Sequence, residues 1–195
     1  HASFANPLYR ELSLKMIEQL AKRYGKDKRV IGWQLDNEPA VQFDYGVAAQ
    51  KGFRQFLRNR YKSIDDLNAA WGTSFWSQTY SDFDEINIPK TSMMFMNPHQ
   101  ILDYKRFAAS VTADFLDLQA KYIKEIASEK QFVTTNYIPS YEEGHVGLCI
   151  NLDFHSYTRY MVFGDDTGVG RLGYRVGDPL RIDYANDFFR PIDNV

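Results

Sequence analysis

The chain has 195 residues, 44% of them hydrophobic and 25% charged, with a formal net charge of −2. Such a composition fills a core and excludes a disordered tail or a polybasic nucleic-acid binder, while the length suits one domain, or a piece of one, better than two. No apolar stretch reaches the ~18 residues a membrane span needs, no charged-then-apolar leader opens the chain, and the lone Cys149 excludes a disulfide framework or a multi-cysteine zinc site.

Asn6 as cap and Pro7 at the first helical position predict a helix that Gly25 stops. Within it Leu8, Leu12, Met16 and Leu20, flanked by Ile17, Ala21 and Tyr24, repeat at helical spacing and predict one buried stripe opposite Arg10, Lys15 and Lys22. After the polar turn 25–29, Val30 to Leu35 is a short apolar run of the kind found in strands covered on both faces. It ends abruptly in Asp36-Asn37-Glu38-Pro39. A helix is predicted from about Ala48 to Tyr61, and Ser63-Ile64-Asp65-Asp66 reads as a capping box for a short helix ending at Gly72. Thr73 to Met96 is an aromatic and polar loop whose length is itself a pointer to function. Asn97-Pro98 repeats the cap signature for a helix of about thirty residues marked by Tyr104, Ala108, Val111, Phe115, Leu118, Tyr122 and Ile126.

Two further strands are predicted at Phe132 to Tyr137 and Ile150 to Tyr157, with at most a short helix between Pro139 and Gly147. A glycine-rich stretch from 164 to 177 precedes Asp178-Pro179, which opens a last helix to about Arg190. This alternation is the rhythm of a parallel α/β fold. The 14 Phe, 13 Tyr and 3 Trp are explained first by core filling.

In parallel barrels of this rhythm the chemistry sits at the C-terminal ends of the strands, which singles out Glu38. Pro39 fixes the chain as it leaves the strand, and partial shielding by aromatic side chains would favour the neutral carboxyl that a general acid requires. An acid after a strand serves as often to cap or solvate a loop. Asn136 and Tyr137 at the end of the next strand and Tyr157 after the following one are lining candidates on position alone, and core satisfaction is the competing reading for each. Asp153 and His155 read as a strand-end hydrogen-bonding pair rather than a metal site, and Gly168 to Gly173 matches a dinucleotide-binding glycine pattern without the helix that pattern needs.

Ile31-Gly32-Trp33-Gln34-Leu35-Asp36-Asn37-Glu38 resembles glycoside hydrolase family 42, the β-galactosidases. Asn6-Pro7-Leu8-Tyr9-Arg10, the stretch Leu67-Asn68-Ala69-Ala70-Trp71-Gly72-Thr73-Ser74-Phe75-Trp76-Ser77-Gln78, Leu102 to Phe107 and Val133 to Tyr137 agree with it. The resemblance implies a partial (β/α)₈ barrel, roughly strands four to six with flanking helices, within a single catalytic domain. It also implies a retaining β-galactosidase in the intact enzyme, acting on a β-galactoside or related oligosaccharide. By the same resemblance Glu38 is the acid/base and Asn37 bonds the sugar 2-hydroxyl. Trp76 and Trp71 would wall the sugar site, although Trp71, just before a helix-ending glycine, also reads as a packing residue.

No cofactor is expected, and no structural zinc, since Ala40 to Gln50 lacks the cysteines some members carry there. Neither a nucleic acid nor a membrane is an expected partner; a homo-oligomer is expected of the intact enzyme, with a cytoplasmic location favoured. Pro39 stands where many members have Tyr, and is common in other families of the same clan. A retaining reaction needs a second carboxylate about 5–5.5 Å from the first. The resemblance puts it beyond Val195, so the isolated chain is expected to be inactive; Asp153, Glu142 or Glu143 would serve only an inverting reaction. The alternatives are another retaining β-glycosidase of the clan, acting on β-glucosides or β-mannans, and a non-catalytic fragment.

Overall fold

The computed structural model describes residues 3–41, 43–90, 96–137 and 149–158, without the side chain of Trp76. The predicted segments at 139–147, 164–177 and 178–190, together with Glu142 and Glu143, lie outside the described residues.

Helix α1, Pro7–Tyr24, begins where the Asn6 side chain accepts from the amides of Leu8 and Tyr9. Strand β1 is Gly32–Gln34, followed by α2, Val47–Arg60, and α3, Ile64–Trp71. Ser63 caps α3 by accepting from the Asp66 amide, and its hydroxyl donates to the Asp66 carboxylate, so the predicted box forms. Gly72 closes α3 at φ 62, a left-handed conformation that a side chain would disfavour. Two single turns, Phe75–Ser77 and Phe83–Glu85, interrupt the predicted loop. Helix α4 runs from Pro98 to Ile126, 29 residues, capped by Asn97. Strands β2, Phe132–Thr134, and β3, Asn136–Tyr137, make one course broken at Thr135, and β4 is Ser156–Tyr157. Among the described residues no helix is long and apolar enough to cross a membrane.

All described strand pairings are parallel. Gly32, Trp33 and Gln34 stand opposite Phe132, Val133 and Thr134, while Asn136 and Tyr137 stand opposite Ser156 and Tyr157. Parallel neighbours demand a crossover, and α4 supplies the return from the excursion α2–α3 to β2. At ~1.5 Å per residue α4 is ~43 Å long, long enough to close two separate cores. Its first half packs Tyr104 and Phe107 with Phe53, Leu57, Leu67, Trp71, Ile86 and Ile88, beneath the excursion. Its second half packs Ala113, Leu116, Ala120 and Ile123 against Ile17, Leu35, Val133, Tyr137 and Cys149, beneath the strands. Aromatic pairs fill the first core: Phe53 meets Tyr104 edge-on at 5.4 Å and Phe107 at 5.6 Å. Phe56, Tyr61, Tyr80 and Phe83 pack against the same cluster.

Two expectations are corrected. Leu8, Leu12, Met16 and Leu20 form a stripe at helical spacing, but it faces outward, with Leu8 61% and Met16 64% exposed. The helix buries Ile17 and Ala21 instead, because these lie on the side turned toward α4. In this chain strand β1 is not covered on both faces: Trp33 and Leu35 turn to the core, whereas Gln34 between them is exposed. Leu12→Ser in this chain is accordingly expected to change unfolding free energy by under about 0.5 kcal/mol in urea titration, whereas Leu116→Ala, at 0% exposure, should cost about 3 kcal/mol.

Cys149 is buried beside the Tyr137 hydroxyl and the Ala113 carbonyl. Burial pushes its thiol up to about 11, so the reactive thiolate is suppressed at neutral pH. Ellman's reagent is expected to titrate this thiol only after denaturation; rapid reaction in the folded chain would contradict its placement.

Candidate functional site

The chain leaves β1 along a path that the neighbouring strand dictates. Leu35 is buried and extends the ladder by donating its amide to the Thr134 carbonyl at 2.8 Å, and the Thr135 hydroxyl donates to the Leu35 carbonyl. The next three residues turn sharply, with Asp36 at φ 40 and Glu38 at φ 51. Aspartate tolerates a positive φ better than most residues, whereas glutamate does not, and a following proline ordinarily drives its predecessor toward extended backbone. Conformations of this kind cost about 1–3 kcal/mol each and persist only where surrounding contacts hold them.

Those contacts are visible. Gln119 on α4 donates to the Asp36 carboxylate at 3.2 Å, and the Gln34 side chain donates to the Asp36 carbonyl at 3.4 Å. Asn136, at the start of β3, accepts from the Glu38 amide at 3.2 Å and from Gln34 Nε2 at 2.9 Å. Its own Nδ2 donates to Asn37 Oδ1 at 3.2 Å and to Thr158 Oγ1 at 2.7 Å. Pro39 is buried, Glu38 half-buried and Asn37 exposed. A carboxylic acid thus stands after a strand beside an amide, the first held by its backbone and the second by its side chain from the adjoining strand. Such a pair can exchange a proton with, and hydrogen-bond to, a hydroxylated substrate.

The predicted residues separate into two groups. Asn37, Glu38 and Asn136 are brought together. Tyr137 is fully buried, its hydroxyl directed at Cys149, because successive strand residues point to opposite faces and Asn136 takes the outer one. Tyr157, opposite Tyr137 in register, packs half-buried against the same core. Trp71 is 3% exposed and donates its indole N–H to the Asp103 carboxylate at 3.0 Å, which fits the packing reading. The backbone at Trp76 lies in the turn Phe75–Ser77, where Ser77 has φ 55.

Asp153 holds Lys124 at 2.6 Å and accepts the Val133 amide at 2.7 Å, so it is a strand-edge hydrogen-bonding residue; His155 packs against the Tyr137 ring at 5.7 Å. Two clefts of about 360 and 320 Å³ flank the excursion, sharing Gln78, Met96 and Asn97, and none of Gln34, Asn37, Glu38 or Asn136 lines them. Gln34 and Thr158 also reach Asn136, and the sequence reading does not single them out. Alternation would have found them, since Gln34 is two positions from Gly32 on the face away from Trp33, and Thr158 lies two beyond Ser156, which pairs with Asn136.

Residues 1–194 match the family model described as β-galactosidase of glycoside hydrolase family 42. Among curated proteins the chain is 36% identical over 160 residues to a β-galactosidase of Haloferax lucentense, covering 80% of this chain and 24% of that protein. It is 38% identical over 164 residues to one of Thermus thermophilus, covering 82% and 25%. The solved β-galactosidase of the Antarctic haloarchaeon Halorubrum lacusprofundi superposes with a TM-score of 0.87 at 32% identity, covering 98% of this chain and 30% of that one. The chain spans about a quarter of the length of the curated relatives it matches.

Proposed function

The chain belongs to glycoside hydrolase family 42, the β-galactosidases, and on that premise we propose that it carries the acid/base half of a retaining β-galactosidase site. In this reading β1 and the course of β2–β3 and β4 are strands four to six of a (β/α)₈ catalytic barrel. Glu38 protonates the glycosidic oxygen as the bond breaks, then removes a proton from the water that attacks the glycosyl-enzyme. Asn37 binds the sugar 2-hydroxyl, Trp76 flanks the sugar, and the nucleophilic carboxylate comes from another part of the full-length enzyme. Asp36, the other described acid in the turn after β1, is engaged by Gln119, and Asp153, before β4, by Lys124 and the Val133 amide.

The observation that carries the reading is the Asn37-Glu38 pair directly after a parallel strand, with Glu38 at positive φ and its amide held by Asn136 of the neighbouring strand. Hydrolysis of aryl β-D-galactosides by the full-length protein in clear preference to β-D-glucosides and β-D-mannosides is the expected result. A preference for either of the latter would move the assignment to another retaining glycosidase of the clan. The 195 residues alone are expected to show no hydrolysis, because an acid without its nucleophile cannot complete the double displacement.

A further inference from the structure

The Asn136 side chain touches both members of the Asn37-Glu38 pair. Its orientation is settled by chemistry. A backbone N–H can only donate, so the group facing the Glu38 amide must be the Asn136 oxygen, and Nδ2 then faces Asn37 and Thr158. The amide is fully used: its oxygen takes two donors, Gln34 and Glu38, and its nitrogen serves two acceptors. Two consequences follow for the pair. The Glu38 peptide, strained at φ 51, is tied to β3 rather than left to relax toward the extended region. Asn37 must present its oxygen to Asn136, which turns its own NH₂ the other way.

We propose that Asn136 is a positioning residue for the reaction, holding from the adjacent strand the backbone that carries the Glu38 carboxyl and the amide orientation of Asn37. The inference rests on the reading of Glu38 as the acid/base. A residue that acts through a general acid matters most when the leaving group needs protonation, and a displacement of about 1 Å costs on the order of 10²-fold in rate. A residue that merely stabilised the fold would lower activity on all substrates alike.

The test uses the full-length protein with two aryl β-galactosides, phenyl (poor leaving group) and 2,4-dinitrophenyl (good leaving group). Asn136→Ala is expected to lose about 10²-fold in kcat/KM on the phenyl galactoside, at least tenfold more than on the dinitrophenyl one. Introduced into Glu38→Gln, the same substitution should cost no more on the phenyl than on the dinitrophenyl substrate, since the acid whose placement distinguishes them is already gone. Where the alanine variant does not fold, Asn136→Ser, with a shorter polar group, is expected to give the same pattern. Equal losses on both substrates, with Glu38→Gln still leaving-group dependent, overturn the positioning role alone. A Glu38→Gln variant without leaving-group dependence overturns the acid/base reading and the inference with it.

Discussion

Glu38→Gln in the full-length protein is expected to lower kcat/KM for galactosides with poor leaving groups by about 10³–10⁴-fold, toward the upper end of what a positioned general acid contributes. The amide keeps the size of the side chain and its place after β1, but it has no proton to give to the departing oxygen and cannot take one from water. The two half-reactions should therefore fail differently. With dinitrophenyl galactoside the first step needs little help, so the glycosyl-enzyme should accumulate and kcat should be limited by its hydrolysis, giving a burst of released phenol. Azide, an anion that needs no general base, should restore turnover and yield galactosyl azide with the β configuration of a retaining reaction. Pre-steady-state and steady-state kinetics with product analysis read all of this directly. Normal turnover of lactose by the variant would sink the assignment of Glu38.

The second large effect lies away from the site. Asp103 on α4 is 1% exposed, and four donors converge on its carboxylate: the Tyr61 hydroxyl at 2.6 Å, the Trp71 indole at 3.0 Å, Arg106 at 3.0 Å and Arg60 at 3.2 Å. Burial alone would raise this carboxyl, but the hydrogen bonds from Tyr61, Trp71 and Arg106 and the charge of Arg60 outweigh it and hold Asp103 below the usual carboxylate range. Asp103→Ala leaves the buried indole and its neighbours without their acceptor and is expected to destabilise the chain by about 3–5 kcal/mol, read from urea unfolding. The pH dependence has a definite sign. A carboxyl lowered in the folded state stabilises fully above its unfolded value, near ~3.9, and that contribution is lost as pH falls through the folded one. Stability should thus drop in acid below about pH 4, and Asp103→Asn should flatten that drop. A variant as acid-sensitive as the parent would show that other carboxyls control it.

Asp103 also shows where reading the sequence reached its limit. It stands in Leu102 to Phe107, one of the stretches that resembles the family, yet nothing in the spacing says that it binds Trp71, 32 positions earlier. The cap at Asn6, the box at Ser63, the left-handed Gly72 and the cap at Asn97 were all legible, because each is satisfied by atoms within a few residues along the chain. The outward stripe of α1 was not: periodicity locates an apolar face but does not say which neighbour covers it.

By itself the sequence determined that this is a parallel α/β chain with a family 42 signature and that Glu38 follows a strand, since strand alternation, caps and local motifs are short-range properties. Only the tertiary structure decided how that acid is held. The positive φ of Glu38, the oxygen of Asn136 on its amide and the turning of Tyr137 into the core depend on residues about a hundred positions apart meeting across a parallel ladder. Such a pairing is fixed by the crossover of α4 and by burial, not by local preference.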